Sequence, residues 1–237
     1  MVRTIFVWSC LVLDTLVLGS VVIIAYLFDR SGKTGHRIAR RWAKIILWVT
    51  GVKVSVEGLE RIPKSGSYVF MSNHQGSYDI FALHGHLPFD FKWLAKKELF
   101  SIPFFGWTLA AAGYVSIDRE GNRDTVRAMN QAAQRIHDGM SVLIFPEGSR
   151  SPDGSIQPFK KGGFSLAMKS KVPIVPVSIA GSREIMPKGQ KVANPGRIRI
   201  RLDAPINTQD YALRDWSLLM RRVAEVIGEN FRALSQS

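Results

Sequence analysis

The stretch Tyr68-Val69-Phe70-Met71-Ser72-Asn73-His74-Gln75-Gly76-Ser77-Tyr78-Asp79-Ile80-Phe81-Ala82-Leu83-His84-Gly85-His86 changes its hydrophobic period midway. Val69, Phe70 and Met71 form a short apolar run of strand type, a polar turn follows, and Ile80, Phe81 and Leu83 then recur as on one side of a helix. A strand feeding a helix across a short polar turn is the repeating unit of α/β folds. The alternation continues in both directions from this stretch. Strands are predicted over 53–57, 68–72, 91–95, 114–117, 141–145, 174–179 and 197–202, with helices over 78–86, 98–111, 123–137, 163–169 and 210–233. Pro173 and Pro176 lie in or beside the 174–179 run, and proline lacks a ladder donor, so that strand is expected at a sheet edge or in irregular form.

The segment before Gly51 has a different character. From Ile5 to Phe28 the chain is apolar for 24 residues, enough for a helix to cross a bilayer core of about 20 residues. Fifteen of these are Leu, Ile, Val or Phe. Together they favour insertion by about 4 to 9 kcal/mol, against roughly 3 for Asp14. Six basic residues and no acidic one lie between Arg30 and Lys44, whereas Arg3 stands alone before the run. That asymmetry places the rest of the chain on the cytoplasmic side of a membrane and argues against a cleaved leader. A second helix over 35–50 mixes Ile38, Trp42, Ile45 and Ile46 with Arg37, Arg41 and Lys44, as a helix lying in the interface does. The expected organisation is a membrane-associated segment, 1–50, and an α/β domain, 51–237.

Composition narrows the function classes. The 237 residues hold 20 Gly, 11 Pro and a single Cys, excluding collagen-like, disordered and disulfide-stapled chains. Cys10 lies inside the apolar run, so neither a thiol nucleophile nor a Cys-rich zinc site is expected, and the metal assignment is none. A net charge of +13 attracts polyanions. Its concentration beside the apolar segment points to a membrane surface and not to nucleic acid.

His74 and Asp79 are the first pair with chemistry. On one continuous helix, five residues would turn them about 140° apart, at 3.6 residues per turn. With His74 in the turn and Asp79 in the first helical turn, the carboxylate folds back onto the imidazole, fixes its tautomer and leaves the other nitrogen as a general base. Read alone, the block also fits a turn in which Ser77 caps the helix and His74 is an ordinary turn residue. A second cluster, Phe145-Pro146-Glu147-Gly148-Ser149-Arg150-Ser151, follows another predicted strand. Backbone N–H groups freed by such a turn, with Arg150, make a site for an anion, though the same residues also make an ordinary turn. Arg119 ends the 114–117 strand in Ile117-Asp118-Arg119 and is open to the same two readings.

Taken in order, these blocks give the sequence a resemblance to the glycerolipid acyltransferases, most closely the bacterial 1-acyl-sn-glycerol-3-phosphate acyltransferases, over roughly residues 55–205. His74 and Asp79 match the His-x4-Asp block, Ile117-Asp118-Arg119 the second, Phe145 to Ser151 the third, and Val172-Pro173-Ile174-Val175-Pro176-Val177 the Pro-rich fourth. One departure is Gly76, where the family commonly has Ser two residues after the His; Ser77 stands next.

The resemblance implies a mixed, mostly parallel sheet flanked by helices, of the glycerol-3-phosphate acyltransferase type. It implies acyl transfer from acyl-CoA or acyl carrier protein to the sn-2 hydroxyl of lysophosphatidic acid at the cytoplasmic face of an inner membrane, with membrane lipids as partners and no bound cofactor. His74 and Asp79 become the base pair, and Arg119, Glu147, Gly148 and Arg150 the phosphate-binding set. Lys96, ending the 91–95 strand, is an oxyanion candidate, with backbone N–H groups the alternative. Another lysolipid as acceptor, or a non-catalytic lipid-binding adaptor of the same fold, are the rival readings. A serine hydrolase built on Ser165 lacks the strand that a nucleophile elbow needs. Gly32-Lys33-Thr34 fails as a phosphate loop because Leu27 stands where Gly is required.

Overall fold

The computed structural model describes residues 2–117 and 123–236. A seven-stranded sheet forms its centre, in the order β1 (Val52–Glu57), β7 (Gly196–Leu202), β6 (Ile174–Ala180), β2 (Val69–Ser72), β5 (Ser141–Ile144), β3 (Phe91–Lys96), β4 (Val115–Ile117). The five strands from β6 to β4 are parallel to their neighbours, and β7 runs antiparallel to β6 but parallel to β1. The sheet is therefore mixed and mostly parallel. Central strands β2, β5 and β6 are buried along their whole length, as strands covered on both faces must be.

Alternation along the strands divides the core in two. Phe70, Leu143, Val175 and Val177 face Ile46 and Leu47 of α2 (Lys33–Thr50) and Leu83 of α3 (Asp79–His86). Val69, Met71, Val142 and Ile174 face the other side. There they meet Ile136 of α6 (Arg123–His137), Phe164 of α7 (Lys161–Ser170) and Leu219 of α9 (Trp216–Gln236). The first helix, α1 (Val2–Phe28), contributes almost nothing to this core. Only Val7, Gly19 and Val22 are buried, and its apolar side chains are largely exposed. By length and composition α1 is able to cross a membrane.

Two sequence expectations change. The Pro-containing strand β6 is interior, flanked by β2 and β7. Ile174 exchanges both backbone hydrogen bonds with Ile206, and the Pro176 carbonyl accepts from Asp203 N, so residues 174 and 176 point their polar groups toward the β7 side. The donor that Pro176 lacks thus faces the break between the end of β7 at Leu202 and Ile206, and the pairing with β2 loses nothing. Second, the helix expected over 98–111 is split into α4 (Lys97–Phe100) and α5 (Phe105–Ala111). Pro103 breaks it, and Phe104 sits at φ 64°, ψ −54°, with Phe105 N donating to Pro103 O at 2.7 Å, a γ-turn of the rare positive-φ kind. The Phe104 ring lies against Gly19 of α1, where a Cβ would come within 2.8 Å of it.

Candidate active site

The turns after β2 and β5, two adjacent parallel strands, build the site together. Asn73 governs the exit from β2. Its Nδ2 donates to Ile179 O and its Oδ1 accepts from Ile179 N, both at 2.9 Å, so a side-chain amide extends the sheet pairing past the last residue of the strand. His74 then leaves the sheet with its main chain held at both groups. Its N–H donates to Glu147 Oε1 at 2.6 Å, and its carbonyl accepts from Ser151 N at 2.8 Å.

Asp79 opens α3 and is fully buried. Its Oδ2 accepts from the N–H groups of Gln75 (2.7 Å) and Gly76 (2.9 Å), and lies 2.7 Å from His74 Nδ1. Three donors on one oxygen fix this carboxylate in place at the start of α3. With Nδ1 as its proton donor to Asp79, the neutral imidazole presents the lone pair of Nε2, the arrangement a general base requires.

The departure at Gly76 has a steric cause. A Cβ there would come within 2.4 Å of the Ser182 carbonyl oxygen, so the turn admits glycine alone. Ser77 does not cap α3. Its hydroxyl instead accepts from Arg150 Nη1 at 2.5 Å, tying the guanidinium to the His-Asp turn.

Glu147 points away from the solvent side of the site. Its Oε1 takes the His74 amide and its Oε2 the Gln157 amide at 2.8 Å. Burial is the main cause that pushes this carboxyl up, to about 7, and the charge of Asp79 adds to the effect, while the two amides work against it. Glu147 acts as a clamp between turns. Gly148 beside it has φ +77°, and a Cβ there would stand 3.0 Å from Lys160 Nζ, so its missing side chain lets Lys160 lie across the turn.

His74 opens on a cavity of about 840 Å³. Its lining includes the cations Lys96, Arg150, Lys160 and Lys188, while Leu18 and Val22 of α1, Ile38 and Trp42 of α2, and Leu109 of α5 supply apolar wall. Lys96, at the end of β3, and Gly148 are thus brought to the same cavity as His74 and Arg150. Arg119 lies outside the described residues. Lys160 and Lys188 escaped the sequence reading, since a lone lysine in a loop carries no spacing signal. Phe145 stands in the sequence as one member of a motif, yet its ring stacks on His74 with centroids 3.8 Å apart. Among the described residues no three His, Cys, Asp or Glu side chains gather as a metal-ligand set.

Comparison with known proteins agrees on one family. A sequence model described as Acyltransferase matches residues 53–180. The chain is 39% identical over 183 residues to the chloroplastic 1-acyl-sn-glycerol-3-phosphate acyltransferase BAT2 of Brassica napus, covering 76% of this chain and 53% of that protein. It is 33% identical over 200 residues to 1-acyl-sn-glycerol-3-phosphate acyltransferase alpha of Ovis aries, covering 84% and 70%. The chain spans about half the length of the chloroplastic relatives from Brassica napus and Arabidopsis thaliana. Among solved structures it resembles the 1-acyl-sn-glycerophosphate (LPA) acyltransferase PlsC of Thermotoga maritima. The TM-score is 0.84 at 27% identity, over 98% of this chain and 95% of that one.

Proposed function

Because the chain belongs to the acyltransferase family, we propose that it moves a fatty acyl group from a thioester to the sn-2 hydroxyl of 1-acyl-sn-glycerol 3-phosphate, forming phosphatidic acid. The observation that carries this reading is the His74–Asp79 pair at 2.7 Å opening on a cavity lined by both cationic and apolar side chains. His74 Nε2 takes the hydroxyl proton as the oxygen attacks the thioester carbonyl, and Asp79 stabilises the imidazolium that results. The proton then passes to the departing thiolate, so no acyl-enzyme forms. Lys96 is the candidate partner for the oxyanion. Arg150, with Arg119, takes the acceptor phosphate, the Gly148 N–H being committed to Phe145 O at 3.0 Å within its own turn, and Glu147 shapes that pocket by holding two backbone amides. Acyl-CoA and acyl carrier protein are the donor classes that fit a thioester substrate.

The segment 1–50 serves, in this reading, to hold the α/β domain at the cytoplasmic face of an inner membrane. The exposed apolar side chains of α1 and the basic residues of α2 support it. The decisive experiment incubates the purified full chain with acyl-CoA or acyl carrier protein thioesters and a panel of lysolipids. Phosphatidic acid formed from lysophosphatidic acid is the expected product. Preferred acylation of another lysolipid moves the acceptor assignment, and absence of transfer to every acceptor favours a lipid-binding adaptor.

A further inference from the structure

Three flat side chains stand in line with His74. Phe145 lies on the imidazole face with planes 9° from parallel. Trp93 stacks on Phe145 at 5.6 Å and 26°, and His84 follows on Trp93 at 6.3 Å and 28°. The far end of this row is pinned. Trp93 Nε1 donates to His84 Nδ1 at 3.0 Å. An indole nitrogen only donates, so His84 Nδ1 accepts and its ring proton sits on Nε2, which faces the His36 carbonyl oxygen at 3.3 Å. Burial holds His84 well below the ordinary histidine range, with His36, Arg40 and Lys92 adding to the effect, so it remains a neutral acceptor. His36 belongs to α2, and its Nε2 reaches Phe89 O at 3.0 Å.

We propose that Trp93 is a positioning residue for the base: through Phe145 it holds the His74 ring at the tilt in which Nε2 meets the acceptor hydroxyl. The inference rests on the general-base reading above. The single hydrogen bond from Nδ1 to Asp79 fixes one point of the imidazole and leaves the ring free to tilt about it. Proton transfer needs the base within hydrogen-bond reach of the hydroxyl, so a tilt that swings Nε2 aside costs rate directly. A ring packed on the imidazole face removes that freedom. Phe145 in turn keeps its place only if something backs it, and Trp93, locked by its bond to His84, is that backing. Trp93 also lines the cavity, so the test separates a prop from a wall.

Steady-state kinetics on the full chain, with lysophosphatidic acid and acyl-CoA, compare Trp93→Leu with Trp93→Phe. The leucine variant is expected to lower kcat about tenfold with both KM values within about twofold, because aim is lost and substrate contact is not. The phenylalanine variant keeps a flat face and recovers kcat to within about threefold of the parent. In parallel, proton–carbon spectra of histidine-labelled chain, with the His74 signal assigned through His74→Asn, read the ring current of Phe145. The His74 Cε1 proton is expected upfield in the parent and in Trp93→Phe, and displaced from that position in Trp93→Leu. This arm needs no turnover, so it judges the stack even if the parent transfers no acyl group, a result that would overturn the functional reading instead. Equal kcat losses in both variants, an effect confined to KM, or an unmoved His74 signal in Trp93→Leu overturns the proposal and leaves Trp93 a wall. If Trp93→Leu does not fold by thermal melting, Trp93→Met, flexible enough to fill the gap without a flat face, is read by the same criteria.

Discussion

The two halves of the site are built to different standards. On the His74 side the groups that set the ring are held: backbone N–H and C=O, Nδ1 and the Asp79 oxygen that faces it all have partners between 2.6 and 2.9 Å. On the other side Arg150, Lys160 and Lys188 reach the cavity from three separate segments by their side chains alone. In the proposed reaction, chemistry that depends on aim falls to main chain and packed rings, while attraction for an anion, which tolerates motion, falls to side-chain cations. The difference predicts which kinetic constant each half controls.

The sharpest break is His74→Ala, expected to lower kcat by about 10²- to 10⁴-fold in folded protein with lipid binding retained, measured by acyl transfer alongside vesicle sedimentation. Near-parental turnover would end the general-base assignment. Gly76→Ser comes next. A side chain there forces the turn off the Ser182 carbonyl and is expected to cost about 10²-fold in kcat through displacement of His74. On the cation side, Arg150→Lys should leave kcat nearly intact. It should lower kcat/KM for lysophosphatidic acid about 10- to 100-fold and for an uncharged monoacylglycerol much less, since a forked, charge-assisted contact is lost. Equal losses for both acceptors would move Arg150 into the rigid half.

Glu147 offers a thermodynamic test. Its carboxyl is raised in the folded chain from 4.5 to about 7, so the folded state binds that proton more tightly than the unfolded state. Its contribution therefore makes stability fall as pH rises from about 4.5 to about 7. Thermal melts of Glu147→Gln across this window should lose that slope. The variant should also be less stable throughout, because one of the two clamped amides would face an NH₂ group. An unchanged slope would show that this carboxyl is not buried as described. The smallest effect belongs to Ser77→Ala, expected within about fivefold of parental kcat/KM for the loss of one hydrogen bond to Arg150.

Local pattern made much of this architecture legible. The alternation after Gly51 marks all seven strands, and the polar turn between Met71 and Ile80 announces a strand-to-helix crossing. What escaped depends on partners distant in sequence. Pro176 reads as an edge residue until the break after Leu202 comes to lie opposite its missing donor. Pro103 stands in plain view, yet a helix period on both sides of it conceals the γ-turn at Phe104, which packing on Gly19 holds. The role of Glu147 is invisible for a similar reason. Its chemistry suggests a ligand for something charged, whereas its partners are two backbone amides, 73 and 10 residues away. Lys160 gains meaning only from Gly148 beneath it.

The bracing of His74 has a consequence for synthesis. The His-Asp pair itself is local, five residues apart, and leaves the ribosome before the segments that brace it. Its braces come from Glu147 and Ser151, and the Asn73 anchor waits for Ile179, 106 residues downstream. Long-range contacts of this kind form only after the intervening chain exists and its loops have closed. A nascent chain therefore carries His74 and Asp79 well before it carries their braces, and the proposed base is aimed only when β6 has docked beside β2.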